Sequence, residues 1–256
     1  MEKLKRGVFL FIRYLVRLFY PKTSLEGLHN LPQEPCILVG NHAQMNGPIV
    51  GELYIPGEPY TWCAGEMMEL KEVPAYAYRD FWSKKPGWSK WFYKLLSYII
   101  APLSVCIFNN ARTIPVYHDK RLVKTFRATM ERLEQGRNVL IFPEHEQPYD
   151  HILCDFQTGF VDVARIYYKQ TGKCLSFVPM YLAPSLHTAY LGEPITYCPE
   201  NPIKEERRRI CQYLMASISA TAQALPRHRL VPYSNVSKKE YGYNREEECS
   251  YEKTGS

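Results

Sequence analysis

The order of the periodic segments constrains this chain most. Runs of strand length alternate with stretches of helical period. Strands are expected at Cys36–Gly40, Pro59–Cys63, Thr113–Val116, Val139–Phe142, Leu175–Leu182 and Thr188–Leu191. Helices are expected at Glu2–Tyr20, Gly47–Tyr54, Trp88–Val105, Lys120–Gln135, Gly159–Gln170 and Lys204–Ala224. The clearest is Lys120–Gln135, where Leu122, Val123, Phe126, Met130 and Leu133 form one apolar stripe that Gly136 stops. Such alternation predicts a single α/β domain, a mixed and mostly parallel sheet flanked by helices. The expected division is an amphipathic N-terminal helix over 1–22, the α/β domain over 23–232 and a loose polar tail over 233–256.

In sheets of this kind, sites gather beyond the carboxyl ends of the strands. Three polar clusters fall there: Asn41-His42, Tyr117-His118-Asp119, and Pro143-Glu144-His145-Glu146-Gln147. Residues a hundred positions apart are therefore expected to share one cleft.

Net charge is +6, and most of it is local. Residues 1–22 carry Lys3, Lys5, Arg6, Arg13, Arg17 and Lys22 against Glu2, six minus one, or +5. Beside apolar residues this suggests an anionic membrane surface. No motif for nucleic-acid binding is present, and no nucleic-acid partner is expected. The run VFLFIRYLVRLFY gives about 20 Å of helix, short of a bilayer core of about 30 Å. Arg6, Arg13 and Arg17 share one helical face, with Phe9, Phe11, Leu15 and Leu18 away from it. The pattern fits an interfacial helix or one packed on the protein's own core. Arginines within the apolar run, and the lack of a small-x-small cleavage site, argue against a signal peptide. WFYKLLSYIIAPLSVCIF (91–108) is interrupted by Lys94 and Pro102, and fits a membrane-dipping segment or a buried helix. The expected location is peripheral or monotopic, on a cytoplasmic membrane face. Eight scattered cysteines without a C-x-x-C pair read as reduced thiols, with no metal site.

The motifs in order carry a resemblance. "SLEGLHNLPQEPCILVGNH", "AGEMMELKEVPAY", "ARTIPVYHDK", "VLIFPEHEQ", "DFQTGFVDVA" and "LSFVPMYL" follow one another over about residues 24–185. Together they resemble the successive motifs of the lysophospholipid (glycerolipid) acyltransferase superfamily. The resemblance implies a general-base histidine, His42, that deprotonates an acceptor attacking an acyl thioester. Acyl-CoA or an acyl carrier protein would be the co-substrate, membrane lipids the partners, and no bound cofactor or metal would be needed. In that family an Asp five residues after the histidine orients the imidazole, and arginines of the second and third motifs hold a phosphate.

The chain departs from the family at the chemistry. The Asp position is Gly47, the second-motif arginine position is His118, and Gly-Thr-Arg of the third motif becomes His145, Glu146 and Gln147. Asn46 would then orient His42 or merely cap the following helix. Alternatively Glu52, Glu144 or Glu146 reaches the ring. Restoring Asp at 47 is expected to leave activity unchanged or raise it. The acceptor pocket would comprise Glu144, His145, Glu146, Gln147, Arg112 and His118. Less positive than usual, it suits an amine, zwitterion or neutral polyol headgroup better than a glycerol phosphate. A catalytically weak or inactive lipid binder is the competing reading. A nucleophilic hydrolase lacks its G-x-S-x-G signature.

Overall fold

The computed structural model describes residues 2–83 and 85–246. Its centre is an eight-stranded sheet. In chain order the strands are β1 (Ser24–Glu26), β2 (Cys36–Gly40), β3 (Tyr60–Ala64), β4 (Thr113–Val116), β5 (Val139–Ile141), β8 (Ser176–Ala183), β9 (Thr188–Leu191) and β10 (Ile195–Thr196). Their spatial order is β1-β9-β8-β2-β5-β3-β4, with β10 also on β8. Five pairings are parallel, and β8 meets β9 and β10 antiparallel. The fold is the mixed, mostly parallel α/β sheet expected. A separate two-stranded hairpin, β6 (Glu144–Pro148) and β7 (Cys154–Phe156), springs from the end of β5.

Alternation along the central strands sorts the core onto both faces. Ile37, Val39, Val139, Ile141 and Phe177 point into one cluster with Ile210, Leu214 and Ile218 of α7 (Ile203–Ala224). Cys36, Leu38, Leu140, Val178 and Met180 point into the other, with Val50 of α2 (Asn46–Leu53). Helices α5 (Leu122–Glu134) and α6 (Asp162–Thr171) share the first face, their apolar stripes meeting it as the helical period requires.

Two further helices form a side layer. α1 (Glu2–Phe19) packs on α4 (Lys90–Asn110), which also meets α3 (Val73–Ala77) and the π-helical turn Tyr78–Trp82. Of the arginine face of α1, Arg6 and Arg13 are engaged by the protein itself and Arg17 is exposed. Arg6 donates to Asn110 O (2.6 Å) and lies over the Phe9 ring, and Arg13 pairs with Glu52 (2.9 Å). Phe9 is buried between them, while Leu4, Phe11, Tyr14, Leu18 and Phe19 face outward. With Trp88 exposed in the turn just before it, α4 likewise turns Ser97, Ala101 and Ser104 inward and Trp91, Leu95, Tyr98 and Ile99 outward. Among the described residues this is the one helix long and apolar enough to cross a membrane.

The polar stretch after Pro232 is docked on the domain as far as it is described. Asn244 is buried, and its amide accepts from His228 N (2.7 Å) and donates to Ala222 O (2.8 Å). The boundary expected at 232 therefore does not mark where packing ends. Residues 247–256 of the expected tail lie outside the described residues.

Candidate active site

His42 stands two residues beyond β2, at the carboxyl end of the sheet. Asn41 sets that position: its buried amide donates to Leu182 O (3.0 Å) and accepts from Leu182 N (2.7 Å). This two-point clamp continues the β2–β8 pairing one residue past the strand. The chain then turns through Ala43 (φ 45°) and Gln44 (φ 54°). Two successive non-glycine residues in the left-handed region cost about 1 kcal/mol or more each, so the surrounding structure must hold them.

Glu144 holds the turn from below. Its carboxylate, 5% exposed, accepts from His42 N (2.5 Å) and Cys154 N (3.2 Å). Burial without a cation pushes its pKa up to about 7, against the pull of the two backbone N–H groups. Glu144 thus reaches the histidine's backbone and not its ring.

The imidazole of His42 lies between two rings. Phe142 is 5.2 Å away between centroids and Tyr233 5.9 Å, both edge-on, at 71° and 84°. Nδ1 is buried with no hydrogen-bond partner. Burial pulls the ring's pKa down to about 4, against a smaller opposing pull from the Gln44 backbone, which stays outside hydrogen-bond geometry at Nδ1. His42 is therefore neutral at pH 7, and no carboxylate selects its tautomer.

Asn46 does not orient His42. Its Oδ1 accepts from the Tyr20 hydroxyl (2.8 Å) and its Nδ2 donates to Ala43 O (2.8 Å), so both ends of the amide are occupied elsewhere. Glu52 is likewise taken, by Arg13 and Arg112. Arg112 donates to Glu52 O (2.6 Å) and meets Glu58 (3.4 Å), tying the start of β4 to α2 rather than facing His42. His118 is exposed in the turn before α5. The buried residue beside it, Tyr117, stacks under Arg121 (4.0 Å), which Asp119, Glu69 and Glu72 also hold. His145 lies on the hairpin, its Nδ1 accepting from Gln147 N (3.3 Å) and its Nε2 3.5 Å from Asp155 Oδ2. Glu146 and Gln147 are exposed on the same strand. Of the expected residues, then, Glu144 alone is in hydrogen-bond contact with His42.

Three residues around the ring escaped the sequence reading: Phe142, Gln44 and Tyr233. Phe142 sits in the recognised F-P-E stretch, so its proximity had a signal. Tyr233 and Gln44 had none: Tyr233 meets the His42 ring, and Gln44 meets Ser234, from about 190 positions away along the chain.

An apolar cavity of about 190 Å³ opens between α1, α2 and α4, with Met45 its lining residue nearest in sequence to His42. Phe9, Ile12 and Val16 line it from one side, Met45 and Ile49 from another, with Arg13, Glu52 and Arg112 among its few polar walls. Among the described residues no group of three or more His, Cys, Asp or Glu is arranged to hold a metal ion.

No family model matches the chain, and no curated protein does. Among solved structures, the chain is similar to the 1-acyl-sn-glycerophosphate (LPA) acyltransferase PlsC from Thermotoga maritima. The two are 17% identical, with a TM-score of 0.44, over 86% of this chain and 82% of that one. A likeness of that size carries nothing about chemistry, which rests on the site's own residues.

Proposed function

We propose that the protein is a membrane-surface acyltransferase that moves an acyl group from a thioester, of CoA or a carrier protein, to a hydroxyl or amine of a lipid-like acceptor. The observation that carries this reading is a neutral imidazole held at the carboxyl end of the sheet, on a turn fixed by the Asn41 clamp and the Glu144 carboxylate. The order of the six sequence motifs supports it. In the reaction, neutral His42 takes the proton from the acceptor as its oxygen or nitrogen attacks the thioester carbon. The tetrahedral intermediate then expels the thiolate, which recovers the proton from the imidazolium. The cavity suits an acyl chain. The exposed apolar stripes of α1 and α4 suit the headgroup boundary of a membrane.

The charge around the site favours an acceptor that is not a phosphomonoester. Arg112 is engaged by Glu52 and Glu58, and Asp80, Glu144 and Glu146 all act on Tyr233. An amine, zwitterionic or polyol headgroup fits that field better than a dianion.

One observation favours the second reading, a protein that binds lipid or acyl chains with little or no catalysis. The unpartnered Nδ1 leaves the imidazolium without a stabilising carboxylate. The two are separated by incubating the full chain on lipid vesicles with acyl-CoA or acyl carrier protein and analysing all lipid products. The catalytic reading expects an acylated lipid whose formation falls about a hundredfold in His42→Ala. Equal product from His42→Ala overturns His42 as the base, and no product from either protein leaves the binding reading standing.

A further inference from the structure

The chain from His228 to Arg245 forms a strap pinned at both ends. His228 bonds the Tyr181 hydroxyl (2.6 Å) and Pro226 O (2.8 Å). Leu230 N donates to Gly242 O (2.9 Å), and the Asn244 amide closes the loop on His228 N. Between these roots the strap crosses the end of β2. There it meets Gln44, whose amide is used at both ends: Nε2 donates to Ser234 O (3.0 Å), and Oε1 accepts from the Tyr241 hydroxyl (3.0 Å). The left-handed turn at Ala43 and Gln44 aims that side chain outward at the strap. The latch thus brings Tyr233 against the His42 ring, with Phe142 against it too.

We propose that Tyr233 is a positioning residue for His42: strap and Phe142 confine the imidazole by ring packing, with Gln44 as the latch, where no hydrogen bond at Nδ1 does so. The catalytic consequence rests on the acyltransferase reading above; the hold on the ring does not. An edge-to-face aromatic contact contributes about 1 kcal/mol and fixes orientation, because it is lost when the ring tilts. A base held within a narrow range of orientations spends more of its time near attack geometry. The charged groups facing this cluster are Glu144 under the turn and Asp80 and Glu146 beside Tyr233. None of them reaches Nδ1.

The test uses the full chain labelled in its histidines. The His42 titration is followed by NMR in the parent protein, Tyr233→Ala, Tyr233→Phe and Gln44→Ala, with His42→Gln assigning the signal. Acyl transfer is measured in parallel on vesicles. Removing the ring lets water reach the imidazole, so Tyr233→Ala raises the His42 pKa by about one unit or more toward its ordinary value. It also lowers kcat about tenfold with little change in KM. Tyr233→Phe keeps the ring and restores both. Gln44→Ala, which unlatches the strap but leaves the ring in place, moves the titration in the same direction by less. A folded Tyr233→Ala protein whose His42 titrates as in the parent overturns the proposal. If Tyr233→Ala does not fold, an unmoved titration in Gln44→Ala overturns it instead. His42→Ala with full turnover would remove His42's role as base alone, and the titration would still decide whether Tyr233 holds the ring.

Discussion

A side chain at position 47 would collide with His42. A Cβ built on Gly47 stands 2.5 Å from the His42 carbonyl oxygen and 2.8 Å from the tip of the Phe142 ring. The position where the resembled family carries an orienting aspartate is therefore filled here by a backbone carbonyl and an aromatic ring. Gly47→Asp does not restore a missing partner, contrary to the expectation from the sequence. It is expected to destabilise the fold by about 3 kcal/mol, since a rigid carbonyl cannot yield as a flexible side chain would. Gly47→Ala should cost about half of that. Urea unfolding midpoints of the two variants check both. A parent-like midpoint for Gly47→Asp would mean that the turn opens freely.

Glu144 and His42 should oppose one another in acid. The Glu144 carboxyl titrates near 4.5 when unfolded and about 7 when folded. Between those values the folded chain keeps a proton that the unfolded chain has lost, so this group makes stability fall as pH rises. The whole effect is about 3 kcal/mol. His42 titrates at 6.5 unfolded and about 4 folded. There the unfolded chain holds the extra proton, so this group makes stability rise with pH over that window. The two slopes largely cancel between about pH 4.5 and 6.5. Glu144→Gln should leave the rising slope, and His42→Gln the falling one. Unfolding free energies at several pH values read both, and parallel curves in the two variants would contradict the assignment.

The sheet was legible because its strands are bounded by sharp polar turns. β2, β4 and β9 have the limits their apolar runs suggest. The hairpin was not legible, because Glu144–Pro148 reads EHEQP and has no alternation to betray a strand. The π-helical turn Tyr78–Trp82 gave no signal either. Spacing alone placed Arg6 and Arg13 on one face of α1. Which way that face turns depends on Glu52 and the Asn110 carbonyl, partners distant in sequence. The site divides in the same way. His42 and Glu144 follow from strand ends, a local property, whereas Tyr233 reaches the ring only because Asn244 and Gln44 anchor a strap without periodicity.

The Asn41 clamp should be worth more than an ordinary surface hydrogen bond. Asn41→Ala leaves the Leu182 N–H and C=O buried and unpaired, at a cost of about 2–4 kcal/mol for the two. It should also free the turn that carries His42. Hydrogen exchange at the Leu182 amide is the direct measurement: it should accelerate more than a hundredfold in the variant while amides in α7 change only with global stability. Exchange unchanged at Leu182 would show that the amide has another partner.

Membrane contact, if it runs through the outward stripes, should separate from stability. Trp88 and Trp91 are 82% and 70% exposed, so Trp88→Ala and Trp91→Ala should leave the unfolding midpoint within about 0.5 kcal/mol of the parent. Each ring entering the headgroup boundary contributes about 1.5 kcal/mol or more, so each substitution should weaken vesicle binding about tenfold. Phe9→Ala should do the reverse. Its ring is 4% exposed beneath Arg6, and its loss should cost about 3 kcal/mol of stability with the outward face intact. Deleting residues 1–22 outright would confound the two, because it strips Phe9, Ile12 and Val16 from the cavity wall. Co-sedimentation with vesicles containing anionic lipid, at low and high salt, reads the difference. Binding unchanged in the double tryptophan variant would move the contact to Phe11, Tyr14 and Leu18 of α1, where the same pair of measurements applies.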